Sequence, residues 1–386
     1  MTVVKSQERR VESQMPTVAL RSYSGSRLLT LSSRLSPRRG VTLLELLIVI
    51  LIISILAGLI LGVASVAGET ARVQHTRHVV QRLHTLLTDY YGTYKNRRVR
   101  LNPALEARID NDNSLSAAKK GQRKAEARLC AMRELMLLEI PDRWSDILLT
   151  AVPTSNAFGA TPLQPIYLDT TGSGASGRTQ LASIYLRRYF QVAKNAVTAD
   201  QVKALTDNQG AECLYMIITI ATGDGEARTL FGESTIGDTD GDGAPEFLDG
   251  WNHPISFLRW APGFESQVQL DSNVLGVPLD TNVNWTKAAS IDHDPFDLFR
   301  RDPLAFRLVP LIYSGGRDES FGTRELKNYV AWQGISNSAN PPYPSPVLTP
   351  YKKASDTLDP PDDFLGTPIG DGTATDNVHN HMLGLR

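Results

Sequence analysis

Cysteine is nearly absent: Cys130 and Cys213 are the only two in 386 residues. Two isolated thiols make neither a disulfide framework nor a zinc motif. They read either as one bridge formed in an oxidising compartment or as two small buried residues. Net charge is also lacking, with a formal total of -1 and no basic face apparent beyond the first 40 residues. That argues against nucleic acid as the main partner, because phosphate recognition needs clustered cations. Catalytic signatures are missing as well: no GxSxG, HExxH or P-loop occurs. Gly172, Gly174 and Gly177 match GxGxxG, but no acidic residue follows about 20 positions on in a strand context, so a Gly/Ser linker is the reading. His75 and His78, three apart, read as a solvated pair and not a metal site, and His379 and His381 lie in a polar tail.

The near-neutral total hides a split. Residues 1–40 hold eight Lys/Arg against Glu8 and Glu12, which leaves 32 basic and 39 acidic residues in the remainder. A basic front before an acidic body is the asymmetry of a chain whose front stays cytoplasmic and whose body is exported. From Val41 to Gly68 the single charge is Glu45, and about 20 apolar residues suffice to cross a bilayer. The run exceeds a signal-peptide core and has no clean small-residue cleavage site on its far side, so it reads as a retained membrane helix. Arg38 and Arg39 just before it place the N-terminus in the cytoplasm.

Beyond Gly68, Val73, Val80, Leu87 and Tyr94 recur every seven residues, with Leu83 and Tyr90 between them and Arg72, Arg77, Arg82 and Asp89 on the other faces. This predicts one helix from about Thr42 to Lys95, on the order of 80 Å at 1.5 Å per residue. Its first half is apolar all round and its second half amphipathic, so a globular body is able to pack on the second half. Residues 103–150 continue with helical composition to Pro141 and Trp144. AECLYMIITIA, at 211–221, is a short buried run that fits strand or helix equally. After Gly223 come short strand-like pieces, PISFLRWA and RLVPLIYS, and from Ser336 a tail rich in Pro, Asp and Thr with little expected regular structure.

Glu45 is the anomaly in the apolar run. A lone carboxylate in hydrocarbon costs a few kcal/mol or more and survives only with a partner. The context Gly40-Val41-Thr42-Leu43-Leu44-Glu45, with basic residues before it and a long apolar helix after it, resembles the N-terminal signature of type IV prepilins and type II secretion pseudopilins. In that family a prepilin peptidase cuts after the Gly, methylates the new N-terminus, and Glu stands fifth in the mature chain. The resemblance implies cleavage and methylation at Gly40 and Val41, and an assembly role for Glu45, whose carboxylate meets the Val41 amine of a neighbouring subunit. Val41 stands where the family usually has Phe, and a leader of 40 residues is long, although Met15 offers a second start. Gly58 and Gly62 add a small-xxx-small pattern that suits close helix packing.

A second signal is Asp238-Thr-Asp240-Gly-Asp242-Gly243-Ala-Pro-Glu246-Phe-Leu-Asp249. Hard cations prefer several oxygen ligands at alternate positions around a tight turn. The stretch resembles the calcium loops of EF-hand and dockerin-type repeats, with Asp238, Asp240, Asp242, Glu246 and Asp249 as ligands, and Ca²⁺ is the implied cofactor. Pro245 and the run from Trp251 to Pro254 interrupt the flanking helices that an EF-hand needs. The next segments, LDGWNHPI and PLIYSGGRDESFG, resemble paired segments of major pseudopilins, whose small sheet holds calcium. His253 and Glu319 replace glycines there, and Asp318 becomes a further implied ligand.

The expectation is an α+β fold, with a long N-terminal helix packed on an enlarged pilin-like head that carries a small antiparallel sheet. Its parts are a cytoplasmic leader (1–40), a membrane or filament-core helix (41–68), the amphipathic half of that helix (69–100), a mostly helical insertion (101–230), a β region with the acidic loop (231–335) and a tail (336–386). The expected partners are the prepilin peptidase, other pilin or pseudopilin subunits and the inner membrane, with the head periplasmic or extracellular and no nucleic acid. Two alternatives are a calcium-binding adhesive protein that uses a prepilin leader for sorting, and an anchored hydrolase.

Overall fold

The computed structural model describes residues 40–147, 166–169, 180–193, 198–221, 227–269, 275–276, 282–325, 364–370 and 376–382. The leader through Arg39 and the GxGxxG stretch lie outside the described residues. The fold is α+β: a long N-terminal apolar helix, shorter helices and a small antiparallel sheet. The chain divides into two units, 1–61 and 62–386, and the division falls inside helix α1, Leu43–Thr93.

The described part of the first unit, residues 40–61, holds the apolar start of α1. Every residue from Val41 to Leu61 is exposed, including Leu43 at 82% and Leu61 at 71%. A helix this apolar, with none of its apolar window buried, is long enough to cross a membrane. A Cβ built on Gly58 meets nothing within 4 Å, and the same holds for Gly62 in the second unit.

In the second unit, α1 buries the stripe read from the heptads. Val80, Leu83, Leu87 and Tyr94 are buried and Val73 and Tyr90 pack partly against them, while His75 and His78 are exposed. Helices α2 (Pro103–Asn111) and α3 (Ala117–Glu139) follow. Asn102 caps α2 by accepting from Ala104 N at 3.0 Å, with Pro103 in the first turn where its missing N–H costs nothing. Helix α3 carries Cys130, Leu135, Met136 and Leu138 into the main core beside Leu83 and Leu87. Glu134, also buried, accepts the backbone N–H groups of Ile166, Tyr167 and Leu168 at 2.9, 3.0 and 2.8 Å and so pins that segment on α3. Burial pushes the Glu134 carboxyl up to about 7 despite those three donors.

Helices α4 (Gln180–Ala193), α5 (Ala199–Asp207) and α6 (Gln209–Met216) complete the helical region. Thr198 and Gln201 form a capping box at the start of α5. The run at 211–221, open between strand and helix in the sequence, is helix: α6 passes into a π-helical turn, Ile217–Ala221. A second core gathers Trp144, Tyr185, Tyr189, Cys213 and Met216. The two cysteines are free and sit in different cores.

Strands β1 (Ile236–Gly237) and β2 (Glu246–Phe247) make a hairpin with Ile236 opposite Phe247 and Gly237 opposite Glu246. Strands β3 (Ile255–Leu258), β4 (Leu311–Ser314) and β5 (Val378–His379) form a three-stranded antiparallel sheet with β4 central. Tyr313 lies opposite Ser256 on one side and His379 on the other. Helix α6 packs on both β2 and β3, and helix α7 (Asn282–Ile291) covers the core through Trp285, which stacks on Phe364.

The tail corrects the sequence reading. Phe364, Leu365 and Val378 are buried and β5 closes one edge of the sheet, because these apolar residues outweigh the polar composition around them. His379 and His381 accordingly lie in the body of the protein. Burial holds them neutral, with His379 lowered to about 4 and His381 to about 3, and His381 Nδ1 lies 2.8 Å from Ser266 Oγ.

Candidate functional site

The acidic loop is the connection of the β1–β2 hairpin. Asp238 folds it by accepting Gly241 N at 2.8 Å and Gly243 N at 3.0 Å, while Asp240 accepts Asp242 N and Asp242 accepts Ala244 N. Gly241 and Gly243 have φ of 76° and 96°, a left-handed backbone that glycine adopts without strain. Glu246, fully buried at the start of β2, takes Thr239 N at 3.1 Å. Arg188 of α4 donates to Gly243 O, and Asn208 donates to Thr239 Oγ1.

Beneath the loop stands Glu212 of α6, a residue the sequence reading did not single out. It is 1% exposed, and its Oε2 accepts from Trp144 Nε1. One carboxylate oxygen each from Glu212, Asp240 and Glu246 lies within 4.8 Å of the others, and the same holds for Asp238, Asp240 and Asp242. Three buried oxygens receive no hydrogen bond: Glu212 Oε1, Asp240 Oδ2 and Asp242 Oδ2. Burial pushes all four inner carboxyls up, and the charges of neighbouring loop aspartates add to it. Asp240 reaches about 6, Glu246 about 8, Glu212 lies well above the usual range and Asp242 is raised.

Asp249 and Asp318, expected to join this set, are elsewhere. Pairing of β2 with β1 turns the chain away after Glu246. Asp249 then organises the next turn, accepting Trp251 N at 2.8 Å and His253 N at 2.9 Å on one oxygen and Ser314 Oγ at 2.6 Å on the other. Asp318 lies in a short helical turn after β4 and accepts Ser320 N. The two segments paired in the sequence reading do meet, through Asp249 with Ser314 and His253 Nδ1 with Gly316 O at 3.0 Å. Glu319, standing where the resembling segment has glycine, takes a left-handed backbone with φ of 61°.

The Asp249 turn also docks on α1. Gly250 N donates to Thr76 Oγ1 at 2.9 Å, and Trp251 Nε1 donates to Glu69 at 3.2 Å. A Cβ on Gly250 would stand 2.5 Å from Arg72 O and 2.8 Å from Arg72 Cα. Backbone on both sides leaves no side chain to yield, so Gly250→Ala is expected to cost about 3 kcal/mol. Denaturant unfolding of the full chain in detergent, with the same slope and a lower midpoint, checks this.

At the other candidate site, Thr42 precedes the first turn of α1 and Glu45 closes it. Thr42 N donates to Glu45 Oε2 at 2.9 Å, and Glu45 N donates to Thr42 Oγ1 at 3.2 Å. This reciprocal pair is a capping box: two otherwise unpaired backbone donors are satisfied at the helix start. Glu45 thus has a local partner in Thr42 besides the one expected in another subunit. Gly40 and Val41 precede the cap and are exposed, with no atom within 4 Å of a Cβ placed on Gly40. A glycine, a capped acidic turn and an exposed apolar helical stretch through Leu61 thus follow one another. Residues 35–61 match the model of the prokaryotic N-terminal methylation motif. This methylation motif is the prepilin-type signature, and it contains Gly40, Val41 and Glu45 together with most of the exposed apolar run. No curated protein and no solved structure matches the chain. The methylation motif fits a precursor of the type IV pilin or pseudopilin type, held in a membrane by one apolar helix.

Proposed function

We propose that the chain is the precursor of a structural subunit of a type IV pilus or type II secretion filament. A prepilin peptidase cuts between Gly40 and Val41 and methylates the new amine. The apolar part of α1 then serves as membrane anchor before assembly and as filament core after it, packed against other pilin or pseudopilin subunits. The N-terminus faces the cytoplasm, the remainder lies on the opposite side of the inner membrane, and no catalytic step is assigned to it.

The observation that carries this reading is the coincidence of the methylation motif with the part of α1 whose apolar side chains, through Leu61, are all exposed. Exposed apolar area on that scale requires a lipid or protein partner. A membrane supplies the first and a bundle of identical helices the second. Glu45 supplies the register: its carboxylate tolerates an apolar filament core only where a neighbour's Val41 amine meets it.

Intact-mass and N-terminal peptide mass spectrometry test the processing step in cells that contain a prepilin peptidase. The expected mature chain begins at Val41 with one added methyl group, and only the precursor accumulates when the peptidase is deleted. A mature chain beginning elsewhere overturns the reading.

A further inference from the structure

We propose that Glu212 of α6 and the β1–β2 loop residues Asp238, Asp240, Asp242 and Glu246 form a single calcium site that ties the helical region to the hairpin. An acidic loop alone would not carry this, since such turns are common on surfaces without a metal. The deciding group is Glu212, which comes from a different element, is 1% exposed and approaches Asp240 and Glu246 within 4.8 Å. Its Oε1 receives no hydrogen bond, and neither do Asp240 Oδ2 and Asp242 Oδ2. A buried carboxylate oxygen without a donor is costly, and these three belong to two carboxylate clusters that share Asp240, an arrangement that calls for a cation.

Ligand chemistry narrows the ion. All the donors are carboxylate oxygens, with no His or Cys in either group, which selects a hard cation. The loop is irregular, turned by Gly241 and Gly243, and offers more carboxylates than an octahedral Mg²⁺ with its retained waters needs. Ca²⁺ accepts six to eight oxygens in adaptable geometry, which suits this set. The remaining loop contacts are satisfied without the metal: Asp238 holds Gly241 N and Gly243 N, and Arg188 holds Gly243 O. The loop is therefore shaped before the ion arrives, and the ion neutralises the inner oxygens.

Isothermal titration of the EDTA-stripped full chain in detergent micelles, with CaCl₂ as the probe and MgCl₂ and ZnCl₂ in parallel, tests the site alongside thermal melting. CaCl₂ is expected to bind with one-to-one stoichiometry and to raise the melting midpoint, with Mg²⁺ at least tenfold weaker. Glu212→Gln keeps the shape of the side chain and the acceptor for Trp144 Nε1. It should therefore melt like wild type in EDTA and lose calcium affinity at least tenfold. Asp240→Asn, in the half-buried part of the loop, should lose affinity likewise and serves as the second variant if Glu212→Gln does not fold. The proposal is overturned if CaCl₂ gives neither heat nor a midpoint shift, if Mg²⁺ or Zn²⁺ binds as tightly, or if both variants bind Ca²⁺ like wild type. The measurement is made on unassembled chain, so its result is independent of whether the chain forms filaments.

Discussion

A chain carrying Glu45→Gln is expected to be cleaved after Gly40 as efficiently as wild type and to be recovered in filaments at least about a hundredfold less. In the proposed filament the Val41 amine of one subunit lies in an apolar core, and the Glu45 carboxylate of its neighbour compensates it. Breaking a buried pair by removing one partner costs about 3–5 kcal/mol, and each 1.4 kcal/mol is a factor of ten in association. Gln is chosen because its amide oxygen still accepts the N–H of Thr42, so the helix start seen in the capping box is kept. The loss then reports the charge and not a frayed helix. Immunoblots of sheared filament and membrane fractions, combined with mass spectrometry of the N-terminus, give the two numbers. Wild-type recovery of the variant in filaments would remove the register role from Glu45.

Arg259→Met is expected to destabilise the protein by about 3–5 kcal/mol, again because a buried charge loses its partner. Arg259 follows β3 and is 2% exposed. Its guanidinium reaches Asp146 at 3.0 Å, Asp142 at 3.5 Å and the carbonyl of Ile140, and it stacks on Trp260 at 4.4 Å. It thereby joins the sheet to the segment that ends α3. Burial acts against both carboxylates. For Asp142 the attraction of Arg143 and Arg259 outweighs burial and holds it below the usual range, whereas burial leaves Asp146 above it. Without Arg259, Asp142 retains Arg143 at 2.8 Å, while Arg143 stands 3.9 Å from Asp146. Adding Asp146→Asn to Arg259→Met should therefore recover part of the loss. Denaturant midpoints of the two single variants and the double variant settle it, and a double variant less stable than Arg259→Met would contradict this account.

What was legible in the sequence had a period or a local pattern. The heptad positions of α1 announced Leu83, Leu87 and Tyr94 as core, and Gly and Asp at alternate places announced the loop from Asp238 to Glu246. What was not legible depended on partners distant in sequence. Thr76 is buried and polar, and its hydroxyl, which donates to Arg72 O one turn back, also accepts the distant Gly250 N. Asp249 fits the twelve-residue pattern, which continues past the hairpin, but strand pairing at Glu246 ends the loop first. Glu212 sits in an apolar run with no motif around it, and what makes Glu45 informative applies to it equally: a lone carboxylate among apolar residues needs a reason to be there. Burial of Phe364 and Val378 was hidden by the Pro- and Asp-rich composition around them. The ion networks of Arg133 with Asp294 and Asp302, and of Arg97 with Glu139, link residues dozens to more than a hundred positions apart and left no local trace.

The placement of the two cysteines bears on how the chain matures. Each thiol is fully buried in its own core, and burial raises both, Cys130 to about 12. A thiol that far from its thiolate is a poor partner for disulfide exchange. Folding on the far side of a membrane would then need no oxidoreductase. The finished protein should be indifferent to reductants, equally stable whether the surroundings are aerobic or not.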